Sequence, residues 1–263
     1  MTEVVLIGCG RMGGALLKGW RESGAVQSAI VVDPALPSLD GVRVVASLSE
    51  IPGPLPRTIL LAVKPQMLDQ VMPGLAERLP DGALVISIAA GKPISYFTAR
   101  LGKPAAIIRT MPNTPAAIGR GITVCCAGPG VSAAERAIAD RLMTAVGEVA
   151  WVDDEALMHA VTAVSGSGPA YVFHLIEALR DSALAAGLPP DLASKLARAT
   201  VTGAGELAYQ SADTPEKLRV DVTSPGGTTA AALAVLMADH GLTDLMTRAV
   251  AAATARSEEL AKG

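Results

Sequence analysis

Aromatic side chains are scarce in this sequence: Phe, Trp and Tyr make up 3% of 263 residues, although 50% are hydrophobic. A core must therefore be assembled from Ala, Val, Leu, Ile and Met, which favours aliphatic strands and Ala-rich helices that approach closely. Cysteine is also rare. The three that occur, with Cys125 and Cys126 adjacent, cannot make a disulfide framework and read as small buried residues of a cytosolic protein. The three histidines, His159, His174 and His240, are scattered, with no Cys or His at ligand spacing, so no protein-bound metal is expected. The formal net charge is -3 and no Lys/Arg block is present, which speaks against a nucleic-acid partner. No apolar run approaches the roughly 18 residues that span a bilayer, so no membrane partner is expected. MTEVVLIG leads straight into a strand pattern without a basic n-region or cleavage site, and a cytoplasmic location is the expectation.

What is present is a rhythm. Six continuous aliphatic runs, at 4–8, 29–33, 58–63, 83–89, 105–110 and 122–127, read as strands buried on both faces of a mostly parallel sheet. Helical patterns at 12–23, 65–79, 93–101 and 132–146 lie between several of them. That alternation predicts an α/β class, a Rossmann-type doubly wound domain over 1–153. Beyond Trp151-Val-Asp-Asp-Glu155 the strand-like runs stop and the chain turns Ala-rich and helical. Pro and Gly punctuate it at 166–169, 187–190, 213–215, 225–227 and 241, which predicts an all-α domain over 154–263.

Gly8-Cys9-Gly10-Arg11-Met12-Gly13 follows the first strand and opens the first helix. G-x-G-x-x-G is weak alone, but this is the context that a dinucleotide requires. Gly8 permits the tight turn, Gly10 lets a pyrophosphate reach the backbone, and Gly13 lets helix and strand pack closely. The phosphates then meet the positive end of a helix. Asp33 ends the second strand, where an acid can bond ribose hydroxyls and repel a 2′-phosphate, which leans toward NAD. No Lys or Arg follows it in Pro34-Ala-Leu-Pro-Ser38, and Arg11 is equally suited to a phosphate and to solvent, so the choice of cofactor stays open.

Ala62-Val63-Lys64-Pro65 ends another buried strand, placing Lys64 near a nicotinamide ribose or leaving it a strand-end lysine in solvent. Arg109-Thr-Met111-Pro-Asn113-Thr-Pro115 is a rigid loop from which Asn113 could bond the nicotinamide amide or serve as a turn residue. Ser165-Gly-Ser-Gly-Pro169 opens a helix, either as a capped bend or as a surface of close approach to a ligand. Glu177, farther along that helix on an otherwise apolar surface, suits an interhelical bond.

The oddest stretch is VTSPGGTT at 222–229, ahead of an apolar helix pattern. A cap needs Ser224 and Pro225 but gains nothing from Gly226 and Gly227, since Gly costs about 1 kcal/mol relative to Ala inside a helix.

Taken together, IGCGRMGGAL (7–16), AVKPQ (62–66), RTMPNTPAAIGRGIT (109–123), AVSGSGPAYVF (163–173) and DVTSPGGTTAAAL (221–233) resemble the Δ1-pyrroline-5-carboxylate reductases over nearly the whole chain. Family members often carry Asn-Met where Arg11-Met12 stands, a departure that touches phosphate contacts. The resemblance implies reduction of a cyclic imine to L-proline with NADPH, NADH being the alternative. It implies cofactor contacts at Gly8, Gly10, Arg11, Met12, Gly13, Asp33, Ala62, Val63, Lys64, Pro65, Met111 and Asn113. Substrate would be held by Ser224, Gly226, Gly227, Thr228 and Thr229, with Thr228 acting only through its backbone, because many members carry Ala there. Ser224 and Thr229 are the candidate catalytic residues: Ser224 and nearby amides for the carboxylate, Thr229 for the ring nitrogen. The helical domains of two chains would interlock into a homodimer, which often assembles further into decamers.

Two other readings compete. A β-hydroxyacid dehydrogenase or imine reductase would share the glycine start. The dehydrogenases, however, carry a lysine one turn after their domain-junction glycines, and GSGPAYVFHLIEAL has none. A non-catalytic dinucleotide sensor would keep the fold but have no need of Ser224, Gly226, Gly227 and Thr229.

Overall fold

A computed structural model describes residues 2–262. Its strands and helices alternate as β1 (Glu3–Ile7), α1 (Arg11–Ser23), β2 (Ser28–Val32), β3 (Arg43–Val45), β4 (Thr58–Leu61), α2 (Leu68–Arg78), β5 (Leu84–Ser87) and α3 (Ile94–Leu101). Then follow β6 (Ala106–Met111), β7 (Gly121–Ala127), α4 (Ala133–Thr144) and β8 (Gly147–Val152). The strands form one sheet of order β3-β2-β1-β4-β5-β6-β7-β8, parallel except where β6 meets β7. The order reverses between β1 and β4, the point at which open α/β sheets bind ligands at their strand carboxyl ends.

Each aliphatic run serves two cores, because alternate side chains leave the sheet on opposite faces. Val5 and Ile7 pack with Ile59, Leu61, Met72 and Phe97 on one face. Val4 and Leu6 pack with Leu16, Trp20, Leu60 and Leu142 on the other. Trp20 is wholly buried, and its Nε1–H donates to the Leu142 carbonyl at 2.7 Å, tying α1 to α4. Gly19 brings α1 hard against the following turn: a Cβ there would lie 2.6 Å from the Ala145 carbonyl oxygen.

Three features depart from the strand reading. β3 has only three residues, too short for a periodic signal. β8, GEVAWV, is only partly buried and contains Gly and Glu, so it lacks an aliphatic signature. β7 returns antiparallel from β6 through a loop of nine residues, 112–120, too short for the crossover that a parallel neighbour needs. Pro65 also opens a short 3-10 turn, Pro65–Met67, and the α-helix starts only at Leu68.

The remaining elements are α5 (Leu157–Val161), a π-helical turn Thr162–Gly166, α6 (Gly168–Ala185), α7 (Pro190–Gln210), α8 (Pro215–Asp221), α9 (Thr228–Leu236) and α10 (Leu242–Lys262). The chain divides into two compact units: residues 1–166 with 253–263, and Ser167–Ala252. Strands end at Val152, but α5 and the π-turn belong with the sheet because Met158 and Ala163 are fully buried there. The last part of α10 joins the same unit: Ser257 Oγ lies 3.0 Å from His159 Nδ1, and Leu260 lies against Gly91.

The second unit is built differently. Among its described residues only Ala193 and Ala197 are buried hydrophobics, while Phe173 is 60% exposed and Val235 73% exposed. No residue of α9 is buried, although TTAAALAVL has no charged position. A helix that is apolar all round needs cover on every side. No helix of the described residues is long and apolar enough to cross a membrane.

Trp20→Phe keeps an aromatic ring in the core but leaves a small cavity and the buried Leu142 carbonyl without its donor. Such a loss costs about 1–3 kcal/mol, so urea unfolding should show a lower midpoint at an unchanged slope.

Candidate functional site

The glycine loop between β1 and α1 is dictated by sterics. Gly8 has φ +92°, a conformation that other residues rarely adopt, and a Cβ on it would lie 2.8 Å from the Ala62 backbone. A Cβ on Gly13 would lie 2.3 Å from the Gly8 carbonyl oxygen and 3.2 Å from Ala62 Cβ. Gly10 differs: its φ of −70° is ordinary, and a Cβ on it would meet nothing within 4 Å. The protein's own packing does not demand glycine at 10; a ligand laid against that backbone would. Gly10 is also the N-cap of α1, with no side-chain cap and no acidic residue in the first turn. The first N–H groups of the helix are therefore left for an anion.

A groove of about 700 Å³ starts at this loop and runs along the carboxyl ends of β1, β2 and β4. Gly8, Gly10, Asp33, Ala62, Val63 and Lys64 all line it. These six of the residues expected from the sequence at the dinucleotide are thus brought to one surface, while Gly13 and Pro65 are not among its lining. Arg11 is exposed and Met12 half-buried against the α1 core; neither lines the groove. Ala46 to Ser49 and the α2 residues Gln70 and Val71 complete the wall, and no motif marked them beforehand.

Asp33 is built into the loop. Its Oδ2 accepts the Cys9 N–H at 2.8 Å and its Oδ1 accepts the Ala35 N–H at 2.9 Å. The carboxylate holds the glycine loop and the following turn in register while still facing the groove. Burial, then the charge of Asp33, pushes the Cys9 thiol upward from its ordinary pKa. Burial pushes Cys125 up to about 12, so neither thiol is suited to act as a nucleophile.

Pro65 begins the 3-10 turn with Lys64 as its cap, fixing Lys64 at the groove's rim. At the end of β6, Asn113 is engaged by two protein groups. Its Nδ2 donates to the Ser165 carbonyl at 3.2 Å, and its Oδ1 accepts the Ile122 N–H at 3.0 Å. Met111 packs so closely on the π-turn that a Cβ at Gly166 would lie 2.5 Å from Met111 Cε. Asn113 and Met111 therefore join the β6–β7 loop to the SGSG segment, a link that spacing alone could not reveal. The loop is anchored at its root by Arg109, 3% exposed, whose Nη1 donates to Glu155 Oε1 at 2.9 Å. The same oxygen accepts the Ile94 N–H at 2.8 Å, capping α3.

In the second unit, SPGGTT does not form a serine-capped helix. Gly226 takes φ +70°, the Gly227 N–H donates to the Ser224 carbonyl at 3.0 Å, and α9 begins only at Thr228. Gly227 is the N-cap and makes no side-chain cap bond. Ser224 thus ends up outside the helix, in a turn that brings it back over the helix start. The leading N–H groups of α9 have no intrahelical acceptor, and both glycines lack a Cβ that would shield them. At Ser165–Pro169, π-helical geometry carries the chain into α6, where Ser167 holds a helical conformation and makes no cap bond. Glu177 pairs with His174 of its own helix at 3.1 Å, not across helices.

Comparison with known proteins agrees in both units. Residues 155–260 match the family model described as pyrroline-5-carboxylate reductase dimerisation, and residues 3–91 match one described as NADP oxidoreductase coenzyme F420-dependent. The chain is 40% identical to the pyrroline-5-carboxylate reductase of Pseudomonas aeruginosa, over 99% of this chain and 97% of that protein. The structure of a pyrroline-5-carboxylate reductase from Coxiella burnetii superposes with a TM-score of 0.92 at 34% identity, covering 100% of this chain and 99% of that one. The pyrroline carboxylate reductase of Plasmodium falciparum, solved with NADP bound, gives a TM-score of 0.82 at 28% identity, covering 99% and 98%.

Gly10→Ala separates ligand from fold. The methyl group meets no protein atom, so thermal unfolding should be unchanged, whereas titration with a nicotinamide dinucleotide should show affinity lower by at least about tenfold, or 1.4 kcal/mol.

Proposed function

The chain belongs to the pyrroline-5-carboxylate reductase family, and from that membership we propose that it reduces the cyclic imine 1-pyrroline-5-carboxylate to L-proline, the last step of proline biosynthesis. The observation that carries this reading is the uncapped start of α9 behind two glycines, whose leading backbone N–H groups suit a carboxylate. The dinucleotide loop alone would suit many oxidoreductases.

The reduced nicotinamide, of NADPH or NADH, supplies the hydride when bound. The glycine loop and the uncapped end of α1 fit its pyrophosphate, Asp33 fits the adenosine ribose, and Ala62 to Lys64 line the groove beyond them, with Pro65 setting the turn that follows. Met111 and Asn113 belong to this reading as the residues that shape the nicotinamide end. The backbone amides from Gly227 to Thr229, with the Ser224 hydroxyl, hold the substrate carboxylate; Thr228 takes part through its N–H alone. The Thr229 hydroxyl bonds the ring nitrogen, donating to the neutral imine or accepting from the iminium N–H. A hydroxyl is far too weak an acid to protonate the imine outright, so Thr229 orients the ring or relays a proton from water. Acceleration then comes from alignment of the imine carbon and from fixed dipoles around the developing charge.

The same reading assigns the exposed apolar helices of the second unit to a homodimer with interlocked helical domains. Burial of Phe173, Val235 and their neighbours by a second copy supplies the core that one copy lacks. Assembly of such dimers into a decamer, the boundary between domains near 153, and a cytoplasmic location belong to this proposal as well.

Oxidation of NADPH or NADH, followed at the nicotinamide absorbance band with pyrroline-5-carboxylate as substrate, tests the activity; no oxidation of either would overturn it. Thr229→Ala should lower kcat/KM by about 10- to 100-fold, the value of a hydrogen bond to a charged group, and Thr229→Ser should restore most of it. Val235→Asp should shift the sedimentation coefficient toward the monomer and abolish activity with it; an unchanged coefficient would remove α9 from the interface.

A further inference from the structure

One charged pair in the first unit touches none of the groups assigned to the reaction, and packing does not explain it. Arg109 stands on the face of β6 that carries Ile107 and Met111, among apolar side chains of the sheet's core, and is 3% exposed. Stability alone would be served as well there by an apolar pair of similar size, because two charges must be stripped of water to make a buried ion pair. What an ion pair adds is direction. Arg109 Nη1 donates to Glu155 Oε1 at 2.9 Å, which fixes β6 to the stretch between β8 and α5. The same oxygen takes the Ile94 N–H at 2.8 Å, so three segments meet on one carboxylate.

This is the first of two cross-links between the same two stretches of chain. Beyond Arg109, β6 ends at Met111 and the loop places Asn113; beyond Glu155, α5 leads into the π-turn. There Asn113 Nδ2 donates to the Ser165 carbonyl at 3.2 Å, and Met111 packs against Gly166. The segment between the links is stiff. Met158 is wholly buried, Thr162 Oγ1 donates to its carbonyl at 2.7 Å, and Ser165 Oγ donates to the Val161 carbonyl at 3.0 Å. The chain from Arg109 to Asn113 and the chain from Glu155 to Ser165 thus close a ring, with a charged link at one end and a neutral one at the other. On the opposite face of β6, Thr110 Oγ1 donates to the Ser87 carbonyl at 3.1 Å and holds the strand independently. Opening the charged link therefore releases the β6–β7 loop from the π-turn and leaves β6 in the sheet.

We infer that Arg109 and Glu155 are positioning residues for hydride transfer: the pair holds Met111 and Asn113 where they shape the nicotinamide end, without itself touching cofactor or substrate. The inference rests on the proposed use of Met111 and Asn113 at the nicotinamide. A displacement of about 1 Å at a reacting centre, caused from a distance, costs about 100-fold in rate. A pair that only braced the fold would, when removed, weaken dinucleotide binding and turnover together. A positioning pair lowers kcat while the dinucleotide, held at the glycine loop, still binds.

The test cuts the link without stranding a buried charge. Arg109→Met combined with Glu155→Gln removes both charges and keeps an acceptor for the Ile94 N–H. In this double variant kcat with pyrroline-5-carboxylate should fall at least about tenfold, while the Kd for NADPH, measured by calorimetry, stays within about threefold. Hydrogen exchange in the absence of any ligand should show the 112–122 segment, with the Ile122 N–H that Asn113 holds, exchanging at least about tenfold faster. Arg109→Lys keeps the charge but not the planar fork, and should lose about three- to fivefold in kcat at unchanged NADPH affinity. An unchanged kcat, a loss matched by an equal loss of NADPH affinity, or unchanged exchange would each overturn the inference and leave the proposed function standing. If the unsubstituted protein oxidises no nicotinamide with this substrate, the proposed function falls, and the exchange measurement still decides whether the pair holds the loop. If the double variant does not fold, Arg109→Lys decides: full kcat in that variant would overturn the inference.

Discussion

Almost everything in the first unit depends on one steric knot. The Gly8 carbonyl, the Cα of Gly13 and the Ala62 backbone occupy a space into which no side chain fits, a Cβ at Gly13 being only 2.3 Å from that carbonyl oxygen. The knot makes the chain leave β1, turn and enter α1 with no intervening side chain. It thereby presses α1 onto β1 and β4 and directs its free N–H groups toward the sheet's carboxyl edge. The two cores on either side of the sheet, and the groove along that edge, follow from this fixed angle between strand and helix. Asp33 then sets the loop's remaining freedom by taking the Cys9 N–H, so the second strand is read into the geometry of the first.

Much of this was legible in the sequence because its causes are local or strictly periodic. Continuous aliphatic runs marked β1, β2, β4, β5, β6 and β7, since strands covered on both faces have no polar phase. The glycine spacing marked the loop because each glycine answers a separate steric need. The direction of β7 was not legible from its composition, which is the same for a parallel and an antiparallel neighbour; only the loop length decides it. β3 and β8 escaped because one is too short and the other lies half-exposed, with Gly147 and Glu148 at its start.

The site was legible in its parts but not in its couplings. Asp33 could be placed at a strand end, yet nothing in the spacing showed that both its oxygens hold backbone amides. Asn113 was a candidate for the nicotinamide amide, and the structure shows its carboxamide spanning the Ile122 N–H and the Ser165 carbonyl. Arg109 and Glu155 are 46 positions apart and share no motif, so their ion pair needed three dimensions. The π-turn at Thr162–Gly166 has no compositional signature; Ala163 is buried within it, and Met111 packs against its last residue, Gly166. In VTSPGGTT the reverse holds. The redundancy of two glycines beside a serine and a proline was itself the signal, and the structure moves the helix start past all four.

The bare α9 helix has a thermodynamic corollary. A unit whose described residues bury only two alanine side chains has little folding free energy of its own, and most of its stability must come from association. Stability of that kind obeys mass action, so it grows with protein concentration and declines on dilution even at constant temperature. In the proposed homodimer a second effect is added: any change on the shared face is made twice per dimer, and its energetic consequence is doubled. Sequence drift on these apolar positions is therefore penalised more steeply than drift in the sheet's own core, where each residue counts once.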